Sequence, residues 1–136
     1  VENIKKFFKN DWFAEHVGIE LLEVSKGYAK AKLEIRNEHL NSVGTVHGGA
    51  IFALADLVFA VASNSHGTIA MGINVSISYL KAVREGTIFA EAKEISRNPK
   101  LASYTVTVSD QSGDTIAIFQ GMVYRKKDKL PVPAKE

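Results

Sequence analysis

The chain has 136 residues, 46% hydrophobic, 24% charged and 9% aromatic, with 17 Lys+Arg against 15 Asp+Glu and a net charge of +2. That length suits one domain, 1–136, with a real core, and the near balance of charge excludes a dedicated nucleic-acid binder, which carries a strong basic excess. With no cysteine there is no disulfide framework, no Cys-ligated metal site and no thiol nucleophile. The first expected element is an amphipathic helix over residues 2–15, with Ile4, Phe7, Phe8, Trp12 and Phe13 mostly on one side and Gly18 as its end. No long apolar run follows Val1-Glu2-Asn3-Ile4-Lys5-Lys6, so no secretory leader is read and the expected compartment is the cytoplasm. Ile19–Ser25 and Tyr28–Ile35 read as an antiparallel hairpin about the Lys26-Gly27 turn, with Ala29, Ala31, Leu33 and Ile35 alternating with Lys30, Lys32 and Glu34.

Residues 36–46 are polar and irregular, and His47-Gly48-Gly49 opens a long apolar segment. Ala50 to Ala62 carries twelve apolar residues in thirteen. Ala and Leu are plentiful and neither Gly nor Pro interrupts, so the segment is a helix, and one expected to be buried on every side. It is too short to cross a membrane, which takes about 20 apolar residues. Met71–Tyr79, Thr87–Ile95 and Leu101–Ser109 alternate as strands, and the turn at Asp110-Gln111-Ser112-Gly113-Asp114 leads into a last strand, Thr115–Tyr124. Residues from about 126 to 136 are expected to be a frayed tail. These elements imply an α+β fold in which a strongly twisted antiparallel sheet buries one face on a single helix.

Asp56 is the one charge in that helix. A buried, unpaired carboxylate costs several kcal/mol even after relaxation, so it is either paired with a buried donor or held where a charge is useful. The loop Asn41-Ser42-Val43-Gly44-Thr45-Val46-His47-Gly48-Gly49 leads to the helix N-terminus. There the first N–H groups lack internal partners and sit at the positive end of the dipole. Gly48 and Gly49 leave those N–H groups open to a polarised carbonyl oxygen or an oxyanion; a Gly-Gly pair is equally explained by a tight loop. Gly48 and Asp56 are eight residues apart, about 12 Å along a helix rising 1.5 Å per residue. A catalytic group must come within about 3 Å of its target or act through one water. If both are catalytic, two antiparallel copies of the helix must bring one copy's Gly48 to the other's Asp56, and the sites lie at a two-fold interface.

The stretch NSVGTVHGGAIFALADLVFAVASN, Asn41 to Asn64, resembles the hotdog-fold thioesterases. HGG followed at this distance by LAD, with Asn64-Ser65 after the helix, places the likeness in the phenylacetic-acid-degradation (PaaI-type) branch. It extends from about Phe13 to Arg125. The resemblance implies a hotdog fold, a curled antiparallel sheet of about five to six strands wrapped around one long central helix. It implies an acyl-CoA thioesterase, releasing free acid and coenzyme A, with Asp56 as general base or nucleophile and Gly48 N–H polarising the thioester carbonyl. In the same way it implies Asn41 and His47 as the polar residue and the histidine beside that carbonyl, with Gly49 next to the bound group.

Some relatives place a hydroxyl residue on the strand after the helix to orient water. Gly72 stands there in this chain; either Asn74, two positions on along the same strand face, takes that job, or the water is held by Asp56 alone. Arg97 and Lys100, in a turn between strands, are the candidates for the coenzyme A nucleotide. Ile51, Phe52, Phe59 and Tyr79 are candidates for lining an acyl pocket. No cofactor or metal is expected, coenzyme A being part of the substrate, since His16, His39, His47 and His66 show no paired ligand spacing. The expected partners are acyl-CoA and a second copy of the chain, in a homodimer with shared sites and a homotetramer of two dimers, with neither nucleic acid nor membrane. The alternatives are a non-catalytic acyl-CoA sensor, in which nothing requires Asp56, and a hotdog dehydratase, for which no acid lies near His47.

Overall fold

The computed structural model describes residues 2–131. Helices α1 (Glu2–Phe8) and α2 (Trp12–Val17) precede the hairpin β1 (Glu20–Ser25) and β2 (Tyr28–Glu34). A short 3-10 turn at Asn37–His39 leads to α3 (Gly48–Asn64), and β3 (Thr68–Tyr79), β4 (Thr87–Arg97), β5 (Leu101–Asp110) and β6 (Thr115–Lys129) follow. The six strands form one antiparallel sheet in the order β1-β2-β4-β5-β6-β3.

Alternation decides which sheet face is buried. Ala29, Ala31 and Leu33 of β2 and Ile88, Ala90 and Ala92 of β4 are buried, while Lys30, Lys32 and Glu91 between them are not. Ala29 is paired with Ala92 and Ala31 with Ala90, so the floor under this flank of α3 is made of methyl groups and the helix backbone can approach it. Under the other flank aromatic rings fill the space. Phe59 of α3 meets Tyr104 of β5 and Phe119 of β6 with ring centroids 5.9 and 5.4 Å away. Leu54, Val58 and Val61 of α3 are fully buried in this layer. Each such side chain contributes about 1.5–3 kcal/mol of transfer free energy relative to exposure.

The expected curled sheet around one long helix is corrected in two respects. The sheet is open: β1 and β3 are its two edges and do not pair with each other. The helical part is also not one helix, because α1 and α2 precede α3 and both pack on it. The single helix expected over 2–15 is broken at residues 9–11, where Asp11 accepts a hydrogen bond from the Ala14 N–H at 3.0 Å and starts α2 as its N-cap. Gly18 ends α2 in the left-handed region at φ 97°, which glycine adopts without strain.

Two further differences lie in the strands. β6 continues through Lys129, where the backbone pairs with Thr68, so residues 126–129 are strand; residues 132–136 of the expected tail lie outside the described residues. Ser65 is the C-cap of α3, and the side chain of Asn64 closes the connection to β3. Its Oδ1 accepts the Ala70 N–H at 2.9 Å and its Nδ2 donates to the Ala70 carbonyl at 3.2 Å.

Candidate active site

The approach to α3 is held by backbone and side-chain hydrogen bonds. Leu40 and Val46 form an isolated antiparallel bridge. Asn41 spends its side chain on its own loop: Oδ1 accepts the N–H groups of Val43 and Thr45, and Nδ2 donates to Thr45 Oγ1 at 2.9 Å. Gly44, at φ 81°, makes the tight turn, and Arg84 donates to the carbonyls of Val43 and Gly44. His39, which the sequence did not single out, is buried behind the loop. Its Nδ1 accepts the Arg36 N–H at 2.9 Å, so the proton sits on Nε2, which donates to the Val17 carbonyl at 2.6 Å. The His39 carbonyl then accepts the His47 N–H at 2.7 Å. Loop and α2 are thereby tied to the residue that starts α3.

His47 is the N-cap of α3, with extended backbone at φ −60°, ψ 136°. Its Nδ1 accepts the Gly49 N–H at 2.8 Å, which places the ring proton on the exposed Nε2. Of the two glycine N–H groups, Gly49's is therefore occupied, while Gly48's makes no hydrogen bond among the described residues. On the other side of Gly48 stands Tyr79, the last residue of β3, whose hydroxyl donates to the Gly48 carbonyl at 3.0 Å.

Asp56 is not sealed in the core. The expectation of a helix covered on every side is corrected: Gly49, Phe52, Asp56 and Ala60, at helical spacing, form a stripe that the rest of the chain leaves at least partly open. Asp56 is exposed, at the wall of a cavity of about 480 Å³ shared with Ala60, Ser63, Gly72, Ile73 and Asn74. Burial of its inner side pushes the carboxyl above the usual aspartate range, and the charge of Asp11 adds to the shift. No hydrogen bond to the carboxylate contributes. Beside this cavity the edge strand β3 exposes Met71, Ile73 and Val75, at 57%, 55% and 39%.

Asn74 and Gly72 do not share a strand face, as the sequence reading had them. The register steps between them, so that Gly72 lies opposite Val123 and Asn74 opposite its neighbour Met122. A bulge of this kind turns the following side chains to the other face. Arg97 pairs with Glu94 at 3.4 Å and lines a cavity of about 420 Å³ with Thr68, Asn98, Arg125 and Lys126. Lys100 is absent from that lining; its carbonyl accepts the Arg125 N–H. Arg125 follows the expected last strand and Lys126 falls in the expected tail, and nothing in the sequence marks them as neighbours of Arg97. Phe59 is buried, and of the expected pocket residues Ile51 is buried as well. Among the described residues, no three His, Asp or Glu side chains are grouped to hold a metal ion, and no helix is long and apolar enough to cross a membrane.

Comparison with known proteins places this arrangement in a family. The model of the family described as thioesterase superfamily matches residues 43–117, which hold the α3 N-terminus, Asp56 and β3. A "putative esterase" of Archaeoglobus fulgidus is 45% identical over 133 residues, covering 96% of this chain and 86% of that protein. The acyl-coenzyme A thioesterase PaaI of Escherichia coli is 30% identical over 125 residues, covering 91% and 89%. The solved structure of the E. coli PaaI protein superposes with a TM-score of 0.91 at 28% identity, covering 96% of this chain and 95% of its own. The chain belongs to the hotdog-fold thioesterase superfamily, close to the PaaI-type enzymes, and is a hydrolase of the esterase and thioesterase kind.

Proposed function

We propose that the chain, acting as one domain, hydrolyses acyl-CoA thioesters at sites shared between two copies. The observation that carries this reading is Asp56, a carboxylate without a hydrogen bond, with its proton affinity raised, on the open stripe of α3. Gly48 supplies the complementary group, a free N–H at the positive end of the same helix. The two lie about 12 Å apart along one helix, too far to serve one carbonyl. An antiparallel second α3 against the open stripe brings one copy's Gly48 to the other's Asp56. The exposed apolar residues of β3 support pairing on the same side, because an uncovered apolar edge strand favours association with another strand.

In this mechanism the thioester carbonyl oxygen accepts the Gly48 N–H, with the His47 Nε2–H as a second donor. Asp56 of the other copy takes a proton from water as its oxygen attacks the carbonyl carbon. The tetrahedral oxyanion draws charge onto the N–H donors. Collapse breaks the C–S bond, the proton passes from Asp56 to the leaving sulfur, and free acid and coenzyme A depart. A carboxyl raised towards neutrality is the better general base, because base strength and proton transfer both improve. Asn41 orders the loop that carries His47, and Gly49 N–H sets the His47 ring. Asn74 is the polar neighbour of the Asp56 cavity. For the nucleotide phosphates, Arg97 with Arg125 and Lys126 forms the cationic cluster, with Lys100 beside it.

The test is a hydrolysis screen over short, medium, long-chain and arylacetyl-CoA esters with wild type and Asp56→Asn. Thioesterase activity that falls by about 10²–10⁴-fold in the folded variant supports the reading. Full activity of Asp56→Asn removes Asp56 from the mechanism.

A further inference from the structure

Tyr79 is the strand residue that meets the N-terminus of α3. Two contacts define it. Its hydroxyl donates to the Gly48 carbonyl at 3.0 Å, and its ring covers the Gly48 Cα so closely that a Cβ at Gly48 would lie 3.1 Å from Cζ and 3.2 Å from the hydroxyl oxygen. The Gly48 carbonyl and the Gly49 N–H are the two ends of one peptide group. The first is held by Tyr79 and the second by His47 Nδ1 at 2.8 Å. This is the first peptide of α3, and neither of its two glycines has a Cβ to exclude alternative dihedrals, so these contacts add restraint where the chain itself supplies least. The Gly48 N–H, left without a partner, belongs to the preceding peptide but is bonded to the same Cα, so a shift or fraying of Gly48 displaces it.

We infer that Tyr79 is a positioning residue for catalysis: with His47 it clamps the start of α3 at the Gly48–Gly49 peptide, and so keeps Gly48, with the N–H on its Cα, from fraying away from the substrate carbonyl. The inference rests on the Gly48 role proposed above. A preorganised donor stabilises an oxyanion without reorganisation during the reaction, and most of its value is lost when it is free to turn away. The clamp needs a protonated hydroxyl, and burial raises the Tyr79 pKa above the ordinary tyrosine range, which keeps the donor in place. The same contact gives Gly48 a second reason to be glycine: any side chain there meets the Tyr79 ring.

The experiment compares Tyr79→Phe, which keeps the ring against Gly48 and removes only the hydroxyl, with wild type, His47→Ala, the double variant and Asp56→Asn. Steady-state kinetics, pH–rate profiles and the affinity for an S-alkyl-CoA thioether, which has no carbonyl, are measured on each folded variant. Tyr79→Phe is expected to lower kcat about three- to tenfold, the worth of one hydrogen bond, with KM and thioether affinity within about twofold. The pH–rate profile keeps its shape. The double variant falls less than the product of the single losses, because both residues hold one peptide.

Wild-type kcat in Tyr79→Phe overturns the clamp. So does a loss shared by kcat and thioether affinity, which marks general support of the fold. Disappearance of an alkaline limb in Tyr79→Phe also overturns it, because Tyr79 is then itself an acid in the reaction. Full strength in Asp56→Asn, by contrast, rejects the proposed mechanism as a whole, whatever Tyr79→Phe does.

Discussion

The ring of Phe59 occupies the space that a side chain at Gly121 needs. A Cβ at Gly121 would lie 2.6 Å from two ring carbons of Phe59, closer than any relaxed contact. Gly121 is in the middle of β6 opposite Val75 and Tyr104, where a glycine otherwise only weakens a strand. It is there because Phe59, three residues after Asp56, passes over it. Gly121→Ala is expected to cost about 1–3 kcal/mol through overpacking, with a matching fall in Tm. An unchanged Tm means that the ring moves freely. Lost activity beyond the loss of folded protein shows that displacing Phe59 disturbs the cavity of Asp56.

Asp56 makes stability and activity respond to pH in opposite senses. Its folded-state pKa is raised, so the folded chain holds this proton more tightly than the unfolded one. The stability difference is absent below the unfolded carboxylate range and turns unfavourable as pH rises through the raised value. Asp56→Asn is therefore expected to have a higher Tm than wild type at pH 7, the gap closing as pH falls to the ordinary aspartate range. Activity rises with pH over the same window, because the base must be ionised. A variant less stable than wild type at pH 7 contradicts the strain assigned to this carboxylate.

The shared site is tested by complementation. Asp56→Asn removes the base, and Gly48→Pro removes the N–H at the first helical position, where proline is tolerated, although its Cβ requires Tyr79 to give way slightly. Each homodimer should be nearly inactive. Co-refolded at equal amounts, half of the dimers are mixed and each holds one intact site, so about a quarter of wild-type activity should return. Verified mixed dimers without recovery place both groups in one chain. Size measurement on the wild type separates monomer, dimer and the tetramer of two dimers.

Single-turnover hydrolysis in ¹⁸O-water tests for Asp56 as nucleophile. With Asp56 as base, the label enters only the released acid. With Asp56 as nucleophile, a mixed anhydride forms, and water attacking its aspartyl carbonyl leaves label in the Asp56 carboxylate, detected by mass spectrometry of its peptide; label found there excludes the base-only route. The unlabelled carboxylate is the expected result.

Glu94 joins three elements at the far end of α3. It lies 2.8 Å from His66 Nε2, accepts the Tyr104 hydroxyl at 2.7 Å and faces Arg97 at 3.4 Å. Burial raises its carboxyl, but the hydrogen bonds from Tyr104 and His66 and the charges of His66 and Arg97 outweigh that and hold it below the usual range. Its stabilising contribution is present above the unfolded carboxylate pKa and is lost as pH falls through the lowered one. Glu94→Gln is expected to cost about 1–3 kcal/mol at pH 7, less at acid pH, with kcat per folded molecule unchanged. An equal cost at both pH values assigns the loss to shape instead of charge.

What the sequence disclosed follows from what each signal depends on. The β2 alternation of alanines with lysines, and the lone Asp56 in α3, are local patterns, and both elements lie where those patterns put them. The break at Asp11 had a local signal too, an N-cap aspartate before Trp12, but it was outweighed by the apolar spacing that continues through Phe13. The step in register between Gly72 and Asn74 depends on β6, so alternation within β3 alone cannot reveal it. β6 runs on to Lys129 because backbone pairing to Thr68 asks nothing of the lysine side chains. Apolar residues all round α3 suggested complete burial, yet in the single chain one stripe is open. The contacts of Tyr79 and His39 join residues 31 and 22 positions apart, a separation at which no spacing rule operates.

The Asn64 amide, bonded to both the N–H and the carbonyl of Ala70, behaves as a rung borrowed from a sheet and mounted on a helix. It spans the connection at residues 65–67 and the first two residues of β3, and delivers the rest of the strand in a fixed phase. Changing that connection by one residue, with Asn64 kept in place, leaves the strand a choice between losing the rung and turning over. In the second case Gly72 and Ile73 exchange sides, and an isoleucine is carried to where Phe59 now stands 3.1 Å from the missing Cβ of Gly72. The length of a surface connection far from Gly48 thus governs whether the wall opposite Asp56 is bare backbone or a branched side chain.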